Sequence, residues 1–214
     1  FMRRFDKNYL AAREAVLRGD IGDVVLVKSL TRGPSVPRDW MYDLAKSNGV
    51  LAEVNSHDID TIRWFSGSEF SEVYALAGNY RCGSVSSDYP DFYDNVVMTA
   101  RLESGAQGHV DGAAYVTYGY DARTEIVGTK GVLFIGDVCE GSVLLAAGGS
   151  GVTGQAVKSW RTLFADAYRE EARSFVGAVL SDREPLVSGM DGLRAVAVVN
   201  AGNESIRTGR PVRL

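Results

Sequence analysis

Apolar residues recur at helical spacing behind Asp6, at Tyr9, Leu10, Ala12, Ala15, Val16 and Leu17. Phe5-Asp6 opens this helix, Asp6 caps it and Gly19 ends it. The period changes at 24–32, VVLVKSLTR, where β-branched residues and alternation from Leu26 to Leu30 predict a strand. Gly33, Pro34, Pro37 and Gly49 punctuate the next stretch. Residues 33–50 therefore read as one long loop, and such loops in compact domains are more often functional than idle. Helical spacing returns over 56–65 through Ile59, Ile62 and Trp64-Phe65, and Gly67 stops it.

Strand patterns then crowd together at 72–78, 95–103, 106–118, 123–129, 131–136 and 142–147. Ser104-Gly105 is a two-residue hairpin signal. Such short spacings predict antiparallel pairing, because parallel neighbours need long crossovers. Two helices close the chain. Residues 160–181 set Leu163, Phe164, Ala167, Tyr168, Phe175, Val176, Val179 and Leu180 on one broad apolar stripe. Residues 191–208 run from Asp191, read as the cap, to Gly209, and the tail RPVRL adds an edge strand. The expected class is α+β: a large, mainly antiparallel sheet with helices on one face.

At 214 residues, 45% hydrophobic and 23% charged, the chain is long enough to bury a core. A net charge of -4, with no basic run longer than Arg3-Arg4, suits neither nucleic acid nor an anionic membrane. No apolar run reaches the ~20 residues of a membrane span. Cys82 and Cys139 lie outside metal-ligand spacing and read as reduced thiols of a cytoplasmic protein. The opening FMRRFD, with Phe ahead of the first Met, reads as a piece of a longer protein.

Chemistry concentrates in 53–60, EVNSHDID, which holds one of the chain's two histidines. With a helix starting near Ser56, His57 and Asp60 share a face at i, i+3, and Glu53 reaches the same space from before the cap. Capping by Asn55 or Ser56, and acids at a positive helix end, account for Asp58 and Asp60. They do not account for His57, which a helix N-terminus disfavours as a cation. A neutral imidazole oriented by a carboxylate is what a general base needs. Glu53, His57 and Asp60 are also metal-ligand types, although the other histidine, His109, falls on a distant predicted strand. Arg32, where a strand enters the loop, stands at a usual place for substrate contacts, and Tyr168 lies inside an apolar stripe where core packing is the default, although its buried hydroxyl would want a partner such as substrate. Arg3 and Arg4 stand out more weakly, and Trp40 and Tyr42 belong either to a lid or to a packed-down loop. Gly149, Gly151 and Gly154 spell G-x-G-x-x-G, but no βαβ unit surrounds them, so the stretch reads as a flexible connection.

Several stretches together resemble the C-terminal domain of the Gfo/Idh/MocA oxidoreductases, nearest their inositol 2-dehydrogenase subgroup. They are FMRRFDKNYLAAREAVLRGDIGDVVLVKSLTRGP, GVLAEVNSHDIDTIRWFSGSE, TEIVGTKGVL, FADAYREEARSFVGAV and GLRAVAVVNAGNESIRTGRPV. The resemblance covers essentially the whole chain. It implies that residues 1–214 form a substrate-binding and oligomerisation domain, whose cofactor-binding Rossmann domain, with its Glu-Lys-Pro lysine, is absent from this chain. It implies NAD or NADP as cofactor, a polyol or sugar such as myo-inositol as substrate, and homo-oligomers formed through the sheet face. His57 would take the hydroxyl proton, Glu53 would orient substrate or the missing lysine, and Asp60 would hold a second hydroxyl. The family usually has Asp where this chain has Glu53. The other classes compatible with the residues are a metal-dependent hydrolase or isomerase using Glu53, His57 and Asp60, and a non-catalytic assembly domain.

Overall fold

The computed structural model describes residues 1–147 and 151–214. A 3-10 turn, Met2–Phe5, leads into α1, Lys7–Arg18, whose first N–H groups at Asn8 and Tyr9 donate to the Asp6 side chain. β1, Val24–Gly33, follows as expected. The stretch read as a loop instead carries three short helices: α2, Asp39–Tyr42, α3, Leu44–Ser47, and α4, Gly49–Glu53. Asp43 caps α3 by accepting from the Ala45 N–H, a local signal that the surrounding glycines and prolines obscured. α5, Ser56–Ser66, ends at Gly67 in the left-handed conformation.

The strands are β2, Phe70–Gly78, β3, Asn95–Leu102, β4, Gln107–Ala114, β5, Asp121–Gly128, and β6, Val132–Ile135. They join β1 and the tail strand β9, Val212–Arg213, in a seven-stranded sheet of order β6-β5-β1-β4-β3-β2-β9. The β3–β4 hairpin turns where expected, with Gly105 at φ 87. Proximity in sequence fails at one place. β1 and β4 are parallel neighbours, from Leu26 opposite Gln107 to Gly33 opposite Ala114. The chain leaves β1, builds α2 through α5 and the β2–β3 pair, and only then returns, which supplies the long crossover a parallel pair requires.

β7, Cys139–Ala147, and β8, Gly151–Ala156, form a separate two-stranded sheet. The glycine motif is thus not a loose connection over its described part: Gly151 and Gly154 are strand residues, and Gly149 lies outside the described residues. The helix expected over 160–181 is two, α6, Trp160–Leu163, and α7, Ala165–Leu180, broken at Phe164. α8, Gly189–Thr208, begins earlier than expected. Ser188 is its cap, and Asp191 is the reciprocal member of a capping box.

One face of the sheet carries α5 and α8, and the core lies between, with Ile59, Ile62, Phe65, Val73, Val96, Met98, Val198 and Val199 in one buried cluster. β1 turns Val27, Ser29 and Thr31 toward this core and Lys28 to the open face. Much of the stripe expected over 160–181 is not buried: Leu163 at the end of α6 and Phe175, Val176, Val179 and Leu180 on α7 stay exposed. No described helix is long and apolar enough to cross a membrane. Cys82 and Cys139 are both free thiols.

Candidate functional site

The C-terminal end of β1, the start of α5, the 33–41 stretch, Tyr120 and residues of α6 and α7 enclose a cleft of about 440 Å³. His57 lines it, with Glu53 beside it at the end of α4. Among the described lining residues Glu53 is the only carboxylate and Arg38 the only cation. Thr31, Ser35, Tyr120 and Tyr168 add hydroxyls, and Trp40 and Trp160 add flat apolar faces.

His57 is mostly shielded from water. Its Nδ1 is buried without a partner among the described residues, and the ring stands edge-on to Phe1 with centroids 6.0 Å apart. Burial, aided by the positive charge of Arg3 and opposed by Asp58, pushes the His57 pKa down from 6.5 to about 4. The neutral imidazole expected from sequence is therefore found, but burial and Arg3 cause it. Desolvation pushes the Glu53 carboxyl up. Burial likewise raises the Tyr168 hydroxyl, and raises Tyr120 to about 12. Tyr168 meets Trp160 edge to face at 5.6 Å.

The floor beneath His57 is ionic. The Arg3 guanidinium Nη1 donates to Asp58 Oδ1 at 2.7 Å and to Ser29 Oγ at 3.0 Å, and Nη2 donates to Thr31 Oγ1. Ser29 Oγ and Asn55 Nδ2 both donate to Asp58, at 2.6 and 2.8 Å. Asn55 is the N-cap residue of α5, but its carboxamide makes no cap bond and turns to Asp58 and the Asp111 carbonyl instead. It fits only because residue 112 is glycine, where a Cβ would lie 1.8 Å from Asn55 Oδ1.

Two predicted site residues are not brought to the cleft. Asp60 is buried and fully engaged: Arg4 Nε and Nη2 donate to its two oxygens at 2.9 and 2.6 Å, and Arg63 stands 3.6 Å away. The i, i+3 spacing put it one turn from His57, but Arg4 draws it into a network with Arg63 and Asp191. Arg32 alternates away from Thr31 onto the open sheet face, where Asp111 and Asp121 hold it. The metal reading loses Asp60 by the same geometry. Of the two loop aromatics, Trp40 lines the cleft, while Tyr42 packs edge to face on Phe92 and at a tilt against Tyr89. Sequence reading missed Thr31, Arg38, Tyr120 and Trp160. The alternation along β1 could have found Thr31; the others meet the cleft only through tertiary contact.

The described part of the glycine motif does not take the shape of a dinucleotide phosphate loop. Gly151 and Gly154 lie in β8, antiparallel to β7, rather than at a strand-to-helix turn.

Comparison with known proteins places this architecture. The chain is 33% identical over its whole length to the myo-inositol 2-dehydrogenase of Thermotoga maritima, spanning 63% of that protein. It is 32% identical to the inositol 2-dehydrogenase of Rhizobium meliloti, spanning 64% of it. Among solved structures, scyllo-inositol dehydrogenase from Lactobacillus casei with bound NAD(H) and scyllo-inositol superposes with a TM-score of 0.86 at 28% identity. That match covers 99% of this chain and 63% of the other. The chain thus spans less than two thirds of the relatives it matches. Residues 9–134 match the GFO/IDH/MocA C-terminal domain, and the chain belongs to that family.

Proposed function

We propose that this chain is the substrate-holding domain of a nicotinamide-dependent oxidoreductase that oxidises a ring hydroxyl of a cyclitol, polyol or sugar. The observation that carries the reading is the neutral, shielded His57 beside Glu53 in a cleft whose other polar groups are mostly hydroxyls. The inositol dehydrogenases among its relatives support the substrate class.

The residues here supply positioning and proton transfer. Hydroxyls of Thr31, Tyr120 and Tyr168 fit a polyhydroxylated ring, and Trp40 and Trp160 suit its apolar edges. With Nδ1 buried, Nε2 is left to face the cleft, and the tautomer carrying hydrogen at Nδ1 accepts the substrate's hydroxyl proton there. The imidazolium so formed is disfavoured by burial and by Arg3 and favoured by the Asp58 carboxylate beneath it, while Glu53, the carboxylate lining the cleft, would orient the substrate. When bound, a nicotinamide dinucleotide, NAD or NADP, would supply the hydride acceptor that oxidation of the hydroxyl-bearing carbon requires.

The open sheet face, with Leu76, Val97 and Phe134 exposed around His109 and Lys28, fits self-association. Phe134→Glu should shift an oligomer toward monomer in light scattering.

Calorimetric titration of the chain with NAD, NADH and myo-inositol tests the reading. No heat with either dinucleotide, and no turnover by the chain alone, is expected. Micromolar dinucleotide binding would overturn the division of labour. In the active enzyme, unchanged kcat on His57→Ala would overturn the proton-transfer role.

A further inference from the structure

Arg3 is 1% exposed and Asp58 is not exposed at all, so two full charges sit in the core directly under the cleft. Buried ion pairs are expensive to desolvate, and well-packed apolar residues often serve stability as well or better. What Leu or Met cannot supply is a rigid fork of donors reaching several elements at once. Arg3 does this. Nη1 holds Asp58, next in sequence to His57, and Ser29 on β1. Nη2 holds Thr31, which is itself a cleft residue. Nη1 also reaches Thr61 Oγ1 at 3.4 Å, and that hydroxyl donates to the His57 carbonyl at 2.7 Å. Met2, immediately before Arg3, lines the same cleft.

We infer that Arg3, Asp58 and Thr61 form a positioning relay that fixes the His57 ring on α5 relative to Thr31 on β1, beyond any contribution to stability. The inference rests on His57 being the proton acceptor. Arg3 touches neither cleft nor substrate; it acts through the backbone of α5 and the β1 hydroxyls. Where a reacting group must be held within a fraction of an ångström, loosening the residues behind it lowers turnover more than binding.

The test separates positioning from stability. Arg3→Met/Asp58→Leu removes both charges together and so avoids stranding one of them. In the active enzyme with myo-inositol and NAD, kcat should fall about ten- to hundredfold while KM stays near wild type and urea unfolding shows the variant fully folded under the assay conditions. Thr61→Val, nearly isosteric, should lower kcat about threefold, and Thr61→Ser should restore it. In the isolated chain, the His57 ring ¹³Cε1 signal should be a single sharp line that broadens or splits in the double variant. Should the double variant fail to fold, the Thr61 pair and its ring signal decide. His57→Ala, measured alongside, separates the two claims. If it abolishes turnover while the folded double variant and Thr61→Val keep wild-type kcat, the relay is refuted and the proton acceptor stands. If His57→Ala leaves kcat unchanged, both fall.

Discussion

Arg3, Asn55 and Asp58 beneath the cleft are 1% exposed or less, whereas Val36 and Trp40 along its outer wall are 59% and 42% exposed. The floor is held by charged hydrogen bonds between β1, α5 and the N-terminal turn. The wall comes from the 33–41 stretch, whose side chains largely face solvent. The contrast teaches a division of work. A group that moves a proton needs a fixed position, and buried, mutually bonded residues provide it. Residues that merely border a substrate can be exposed, and can change without disturbing the fold.

The comparison breaks most sharply at the floor. His57→Ala should lower kcat roughly 10²–10⁴-fold with little change in KM, the range for a lost acid–base group, in steady-state assays of the active enzyme. Asp58→Ala leaves the Arg3 guanidinium buried and unpaired, and should cost about 3–5 kcal/mol in urea unfolding. A loss under 1 kcal/mol would show that the floor is not held as the hydrogen bonds suggest. At the wall the same measurements should look different. Trp40→Ala should raise KM roughly three- to tenfold, the worth of one aromatic contact, with the urea midpoint almost unchanged.

Acid offers a gentler probe. Unfolded His57 titrates near 6.5 and the folded residue near 4, so between these values the unfolded chain holds the extra proton. His57 is therefore neutral in both states above this window and opposes folding increasingly as pH falls through it. Wild type should lose more stability than His57→Gln between pH 7 and 4.5, and parallel curves would contradict the burial. The smallest effect is expected on the open face: Arg32→Ala should leave KM for the polyol unchanged, because Arg32 points away from the cleft.

Much of this was legible in the chain. Capping residues, glycine stops and alternation located α1, β1, α5, the β3–β4 hairpin and β9, because each is governed by contacts a few residues long. The segment 53–60 stood out because a histidine at a helix start has no cheap local explanation. What failed were inferences that local signals cannot carry. Asp60 shared a predicted face with His57, yet Arg4, distant in sequence, claimed it. Arg32 and Thr31 are adjacent, and strand alternation sends one to each side of the sheet. Arg3 looked like an ordinary surface arginine until Ser29, Thr31, Asp58 and Thr61 were found around it.

The sequence by itself determined the class of fold, most of its elements and which histidine stands at a helix start, because helix ends, turns and periodicity are local physics. The tertiary structure alone decided that β1 and β4 run parallel, that Asp58 rather than Asp60 lies beneath the cleft, and that burial and Arg3 keep His57 neutral. Those outcomes depend on which distant charges and surfaces exclude water together, and short-range spacing contains no record of them.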